Sequence, residues 1–314
     1  MLGRLANNLF WMARYLERAE NSIDLIESRV KSNVSESDKP QEEWNEVLEL
    51  VHQKKNYDSL YEIINQEHVT NFLLGAKRND ASILNLIGHA RQNSRIVRTA
   101  LTKEVWQSIN ELWLFLQSSL TANINQFDLP QILAKVRQSN LMLRGALDGT
   151  MLRNDIFNFI NLGILIERST NTARILRAKY YLFITPTSAS HNDNGVRSQL
   201  DFVLSSLGST RSYNWLNRGH LDASKILHFL VADTRVPKSL CYCYKNIFSH
   251  LVELEEDYGN NYDSRKTAEG TFKNLSMSYM KEKMENGLLG FLNDFIRNNV
   301  TLNNLIESEF NFNT

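Results

Sequence analysis

Apolar residues at the start of the chain recur at alternating steps of four and three: Leu5, Leu9, Met12, Leu16, Ala19, Ile23, Ile26 and Val30. This stripe predicts one helix over 4–31 with a side packed on another helix. A second long helix is predicted over 154–183. Phe159, Leu162, Ile166, Ala173 and Leu176 form its stripe, and Thr185-Pro186-Thr187 stops it. Between the two, 32–41 is polar and reads as a loop, 42–74 as a helical region and 77–80 as a turn. Ser82 and Thr102 are predicted N-caps, the first of a helix over 83–101, the second of one carrying Val105, Trp106, Ile109, Leu112, Trp113 and Leu116. Asp128-Leu129-Pro130 opens the next, with Pro in the first turn. Beyond the polar stretch 188–195, helices are predicted over 196–207, 211–217, 223–231, 237–258, 264–285 and 288–309, with Asp222 and Pro237 as start signals. No stretch shows β-type alternation bounded by turn residues. The expected fold is all-α, a multi-helix assembly with an internally duplicated central motif helix. It is expected as one domain over 1–314, and the polar stretch 188–195 offers a linker between halves 1–187 and 196–314.

The duplication is written in the residues themselves. Glu17, Arg18 and Asn21 recur as Glu167, Arg168 and Asn171, at a constant offset of 150 residues. At 100° per residue, Arg14, Glu17, Arg18, Asn21 and Asp24 fall opposite the apolar stripe of the first helix. That arc also carries Phe10, Trp11 and Leu25, so the helix is apolar on two sides and is expected to be buried on both. The second helix repeats the arrangement: Glu167, Arg168, Asn171 and Arg174 share an arc with Ile160, Ile164 and Ile175. A buried carboxylate needs a cation, and the guanidinium fork suits it best. Arg91, Arg95 and Arg98 form one row after Ser82. This row is either the counter-charge of the motif carboxylates or a solvated basic stripe. The candidate cluster is therefore Arg14, Glu17, Arg18, Asn21, Arg91, Arg95, Arg98, Glu167, Arg168, Asn171 and Arg174. It is either a structural network or the lining of a ligand site.

Composition narrows the function classes. Lys plus Arg equals Asp plus Glu at 35 each, which indicates no global pull toward nucleic acid or an acidic membrane. With 4 Pro and 13 Gly in 314 residues, breakers are few, which favours long helices. No apolar run is long enough for a signal peptide or membrane span, so a cytoplasmic protein is expected. Cys241 and Cys243 stand two apart, where helical side chains diverge; free thiols are expected, and no further Cys or nearby His completes a zinc set. Glu49 and His52 match a fragment of a di-iron helix, but that site needs two such motifs and two more Glu, so a surface pair is expected. Gly145-Ala146-Leu147-Asp148-Gly149 has neither the Lys nor the preceding strand of a phosphate loop, and no zinc-protease motif occurs. No cofactor, no metal and no independent catalytic activity are expected.

The chain also resembles the bacterial alpha-E family, all-helical domains of unknown function named for a Glu-Arg motif. The resemblance runs from the opening Met1-Leu2-Gly3-Arg4-Leu5-Ala6-Asn7-Asn8-Leu9-Phe10-Trp11 into Arg14-Tyr15-Leu16-Glu17-Arg18-Ala19-Glu20-Asn21. It continues through Ala90-Arg91-Gln92-Asn93-Ser94-Arg95, Trp106, Gly149-Thr150-Met151, Gly163, Glu167-Arg168 and Asn171-Thr172-Ala173-Arg174. Tyr213, Phe229-Leu230-Val231-Ala232-Asp233 and Val236-Pro237-Lys238-Ser239 match later blocks. Two departures stand out: Ser22-Ile23-Asp24 replaces a Thr-Ala-Arg-like segment, and Ser169-Thr170 replaces an Ala and an acid. The resemblance implies circularly permuted ATP-grasp and transglutaminase-like partners and a part in peptide ligation or modification. An accessory or scaffold role follows as the expectation. The alternative is an enzyme, or a small-molecule or peptide-binding protein, that uses the Glu-Arg clusters as its site.

Overall fold

A computed structural model describes residues 3–32, 39–120, 129–184, 194–275 and 277–312. Among these are fifteen α-helices and no strand: α1 (Gly3–Ser32), α2 (Pro40–Leu50), α3 (Lys54–Asp58), α4 (Gln66–Gly75), α5 (Ile83–Ile96), α6 (Lys103–Ser119), α7 (Leu129–Thr150), α8 (Asp155–Ala178), α9 (Tyr181–Ile184), α10 (Asn194–Ser206), α11 (Thr210–Asn217), α12 (Ala223–Val231), α13 (Leu240–Tyr258), α14 (Asp263–Asn274) and α15 (Met277–Glu309). A 3-10 turn, Arg98–Ala100, follows α5. The chain is all-α, as its periodicity requires. Among the described residues, no helix is long and apolar enough to cross a membrane.

Two compact units form, one from Asn8–Gly163 and the other from Met1–Asn7 with Ile164–Thr314. The divisions fall within α1 and α8. Residues 185–193, most of the proposed 188–195 linker, lie outside the described residues.

In the unit Asn8–Gly163, α5, α6 and α7 pack in sequence, and α4 covers α5. The expected helical region 42–74 is three helices instead. His52 adopts a left-handed conformation (φ 57°) after α2, and the Gln53 amide donates to the Leu48 carbonyl at 2.9 Å. That bond satisfies a terminal carbonyl and ends the helix. A second break runs to Asn65, whose side chain caps α4 by accepting from the His68 amide. Ser82 and Thr102 cap α5 and α6 as expected, accepting from the Asn85 and Val105 amides. The two-sided burial of α1 holds: Leu9, Met12, Ile23 and Ile26 on the stripe and Phe10 and Leu25 opposite it are all fully enclosed. Helix α8 meets α1 at Gly163. A Cβ there would lie 2.4 Å from the Phe10 carbonyl oxygen and 3.1 Å from the Ala13 Cβ. Only a residue without a side chain allows so close an approach.

In the other unit, α13 and α14 pack together, α14 contacts α15, and α12 lies against α9 and α10. Helix α8 is buried almost all round here, Ile164 through Thr170 without interruption. Asp222 caps α12, accepting from the Lys225 amide. Helix α13 starts at Leu240 with Ser239 as its cap, not at Pro237, because the Ser239 hydroxyl oxygen meets the Tyr242 amide at 3.0 Å. Residues 264–285 and 288–309 divide differently from expectation: α14 ends at Asn274, and α15 carries a non-helical backbone at Gly287. The first turn of α1 reaches the end of α15, where a Cβ on Gly3 would strike the Asn311 carbonyl oxygen. Cys241 and Cys243 are buried free thiols, and burial raises the pKa of Cys241.

Candidate functional site

Glu17, Glu20, Asp24 and Glu27 follow steps of three, four and three, which put all four carboxylates on one face of α1. Helix α7 supplies two cations to this row. The Arg144 guanidinium donates to Glu17 and to Glu20, the Nε bond to Glu20 being 3.1 Å. Arg137, two turns earlier, pairs with Asp24 at 3.3 Å and with Glu27. The result is a ladder of charge between α1 and α7. Its inner rung is enclosed, for the Glu17 side chain has 0% exposure. Burial opposes the charge on Arg144, but Glu17 and Glu20 outweigh it and hold the guanidinium above its ordinary pKa. Asp24, a departure from the family pattern, is thus matched by a cation. Asn140 lies on α7 between the two arginines; it is buried, and its Nδ2 meets no acceptor among the described residues. Farther along α1, Arg29 is 2% exposed and pairs with Glu43 and Glu46 of α2 at 3.2 and 3.1 Å.

Arg18 follows Glu17 by 100° of helical rotation and faces elsewhere. With Tyr15 it lines a cavity of about 350 Å³ whose other walls are Gln53, Asn56, Asp80, Ala81, Leu86 and His89. Arg14 lies over the Trp11 ring, 4.8 Å from its centroid, and Asn21 is buried. Arg91 stacks on Trp113 of α6 at 4.2 Å and donates from Nε to Asn110 at 2.7 Å. Arg98 lies over Trp106 at 5.3 Å, and Arg95 is exposed. No ion pair joins this row to Glu17 among the bonds described. Arg144 and Arg137 are counter-charges of the acidic row that sequence reasoning missed. Their signal was present: Arg137, Asn140 and Arg144 repeat the three-four spacing of the acidic row.

The second motif is also buried. Glu167 is 3% exposed, and the Arg168 side chain reaches the Pro237 carbonyl at 3.4 Å. One turn on, the Thr172 hydroxyl donates to the Lys238 carbonyl at 2.7 Å. Helix α8 is thereby tied to the turn between α12 and α13. That turn has its own clasp: Arg235 binds both Asp233 oxygens, at 3.0 and 2.7 Å, and its hydrogen bonds hold the Asp233 pKa low. Ser169 and Thr170, the other departure, are not idle. The Asn299 amide of α15 donates to both hydroxyls, at 3.0 and 2.8 Å, and its oxygen accepts from Tyr244 of α13. Burial raises the Tyr244 pKa, so the phenol stays a donor. Asn171 and Arg174 are half-buried, and Asn171 Nδ2 meets no acceptor among the described residues.

A family model, a predicted alpha-helical domain with a conserved ER motif, matches residues 1–310. The chain belongs to the Alpha-E family. No curated protein and no solved structure matches it. Two Glu-Arg pairs stand in this Alpha-E chain, and in both the Glu is buried. Their arginines differ: Arg18 lines a cavity, whereas Arg168 bonds a backbone carbonyl. Among the described residues of the Alpha-E domain, no three His, Cys, Asp or Glu side chains gather as metal ligands would. Glu49 is exposed and accepts from Asn45 one turn earlier.

Proposed function

We propose that this chain is an accessory or scaffold protein of an ATP-grasp-linked peptide-ligation or peptide-modification system, without catalysis of its own. The observation that supports this reading is the enclosure of Glu17. A general base must reach the proton it takes, and Glu17 has no exposed side-chain surface and is paired with Arg144. The motif glutamate then serves to hold helices at fixed positions on a surface that a partner reads. The proposed partners are a circularly permuted ATP-grasp protein and a transglutaminase-like protein, and resemblance to the family is their support. The proposed location is the cytoplasm.

Co-purification with a circularly permuted ATP-grasp protein tests the reading, followed by an ADP-release assay with and without the chain. Complex formation is expected, with no turnover by the chain alone. Turnover by the isolated chain, abolished by Glu17→Gln or Glu167→Gln with the fold intact, would overturn it. A second reading, a small-molecule or peptide-binding protein, is favoured by one observation: the polar cavity that Arg18 lines.

A further inference from the structure

Arg91, Arg95 and Arg98 follow steps of four and three, which place them on one side of α5 and its following turn. Arg91 and Arg98 stack on Trp113 and Trp106 of α6, at 4.2 and 5.3 Å, and both indoles are half-buried. Arg91 also donates from Nε to Asn110, which lies between the two tryptophans in sequence. Stacking occupies the flat face of a guanidinium and leaves its edge, where carboxylates bind. Among the described residues, no carboxylate pairs with any of the three arginines. Arg95 and Arg98 are exposed. We propose that this face of α5 and α6 docks an acidic helix of a partner protein, one with carboxylates at steps of four and three. The inference deepens the scaffold reading and rests on it for the existence of a partner.

The chain holds its own example of this docking. Arg137 and Arg144 stand seven residues apart on α7, and they bind the carboxylates that α1 presents at steps of three and four. Arg91 and Arg98 stand seven apart as well, which spans about 10 Å of helix. An acidic helix can therefore lie along α5 as α1 lies along α7. The acidic row of α1 is already held by α7, so the occupant is a different protein. A row two turns long is too extended for one small anion. Guanidiniums lie over the two indole rings, where the bases of a single strand would stack, so the face suits carboxylates better than nucleic acid. Trp and Arg side by side are also the residues in which binding energy at protein interfaces concentrates.

Fluorescence anisotropy of the full chain with a labelled alanine-based helical peptide, its Glu residues at steps of four and three, tests this. One control peptide carries Gln at those positions, and another carries the same Glu residues dispersed round the helix. Saturable binding of the Glu-row peptide is expected, about tenfold or more tighter than either control. Arg95→Gln and Arg98→Gln, at exposed positions, are each expected to weaken it about threefold or more, with helical dichroism unchanged. Arg91→Lys keeps the charge but loses the fork and the stacking, and is expected to weaken binding too. No saturable binding, equal binding of the dispersed-Glu peptide, or binding indifferent to Arg95→Gln would overturn the proposal. Tighter binding of a single-stranded oligothymidylate, abolished by the same substitutions, would overturn it as well and assign the face to nucleic acid. A failed peptide beside an intact ATP-grasp complex removes this face and leaves the scaffold reading. Peptide binding without that complex retains the acidic docking face and removes only the partner named for it.

Discussion

At the residue scale, exposure decides what each ion pair contributes. Arg144 and Arg137 sit on one helix face and bind the same acidic row, yet Glu17 is enclosed whereas Arg137 is 44% exposed. Arg144→Ala removes a cation that an enclosed carboxylate binds, and urea unfolding should show a loss of about 3 kcal/mol. Arg137→Ala breaks a wet pair and should cost below about 1 kcal/mol in the same assay. Equal losses would mean that the ladder acts as one unit. Tyr57 gives a second residue-scale test. Burial, aided by Tyr61 and Asp58, pushes its phenol up to about 12, and its hydroxyl donates to the Ile63 carbonyl at 2.7 Å. The unfolded phenol ionises near pH 10, roughly two units earlier. Its contribution is therefore full below roughly pH 10 and is lost as pH rises toward 12. Tyr57→Phe should flatten that alkaline loss in part, because Tyr213 and Tyr244 are shifted upward by burial as well. Far-UV dichroism against pH measures it.

At the element scale, two glycines have opposite meanings. Gly163 lets α8 approach α1, and a methyl there meets a backbone oxygen that cannot yield. Gly163→Ala should destabilise by about 1–3 kcal/mol through overpacking. Gly145 lies in α7 with nothing within 4 Å of its Cβ position. Gly145→Ala should stabilise by about 0.5–1 kcal/mol through helix propensity. Thermal melts of both variants give the signs directly. The helix boundaries follow the same local logic. Ser82, Thr102 and Asp222 were readable as caps because their oxygens serve amides three residues away. The break at His52 was not readable. Neither Gly nor Asn marks it, and the left-handed turn is imposed by how α2 ends.

At the scale of the whole chain, residues far apart in sequence complete one another. Asn299 lies 130 positions from Ser169 and joins it to Thr170 and Tyr244 in a buried polar network. Asn299→Ala removes a shared donor and acceptor at once. It should cost about 1–3 kcal/mol by leaving buried hydroxyls unpaired, seen as a lower urea midpoint with an unchanged slope. The candidate site shows the same dependence on distance in sequence. Glu17, Arg18, Glu167 and Arg168 stood out because they repeat at one offset on matched helical arcs. Arg144 did not, since its partners lie more than a hundred residues away.

The amino-acid sequence by itself determined that the chain is helical, where most helices start, and that α1 is apolar on two sides. Periodicity and capping act over a few residues, so a linear text carries them in full. It also determined that two Glu-Arg pairs occupy equivalent positions. Only the tertiary structure decided which arginines answer the glutamates. The rows Arg91–Arg95–Arg98 and Arg137–Arg144 offer cations at similar helical spacing. Coulombic pairing falls with distance, and distance between helices is set by packing. α7 lies along the acidic face of α1, whereas Arg91 of α5 and Arg98 of its following turn lie on tryptophans of α6. The cavity beside Arg18 arises in the same way, from four chain segments brought together by packing.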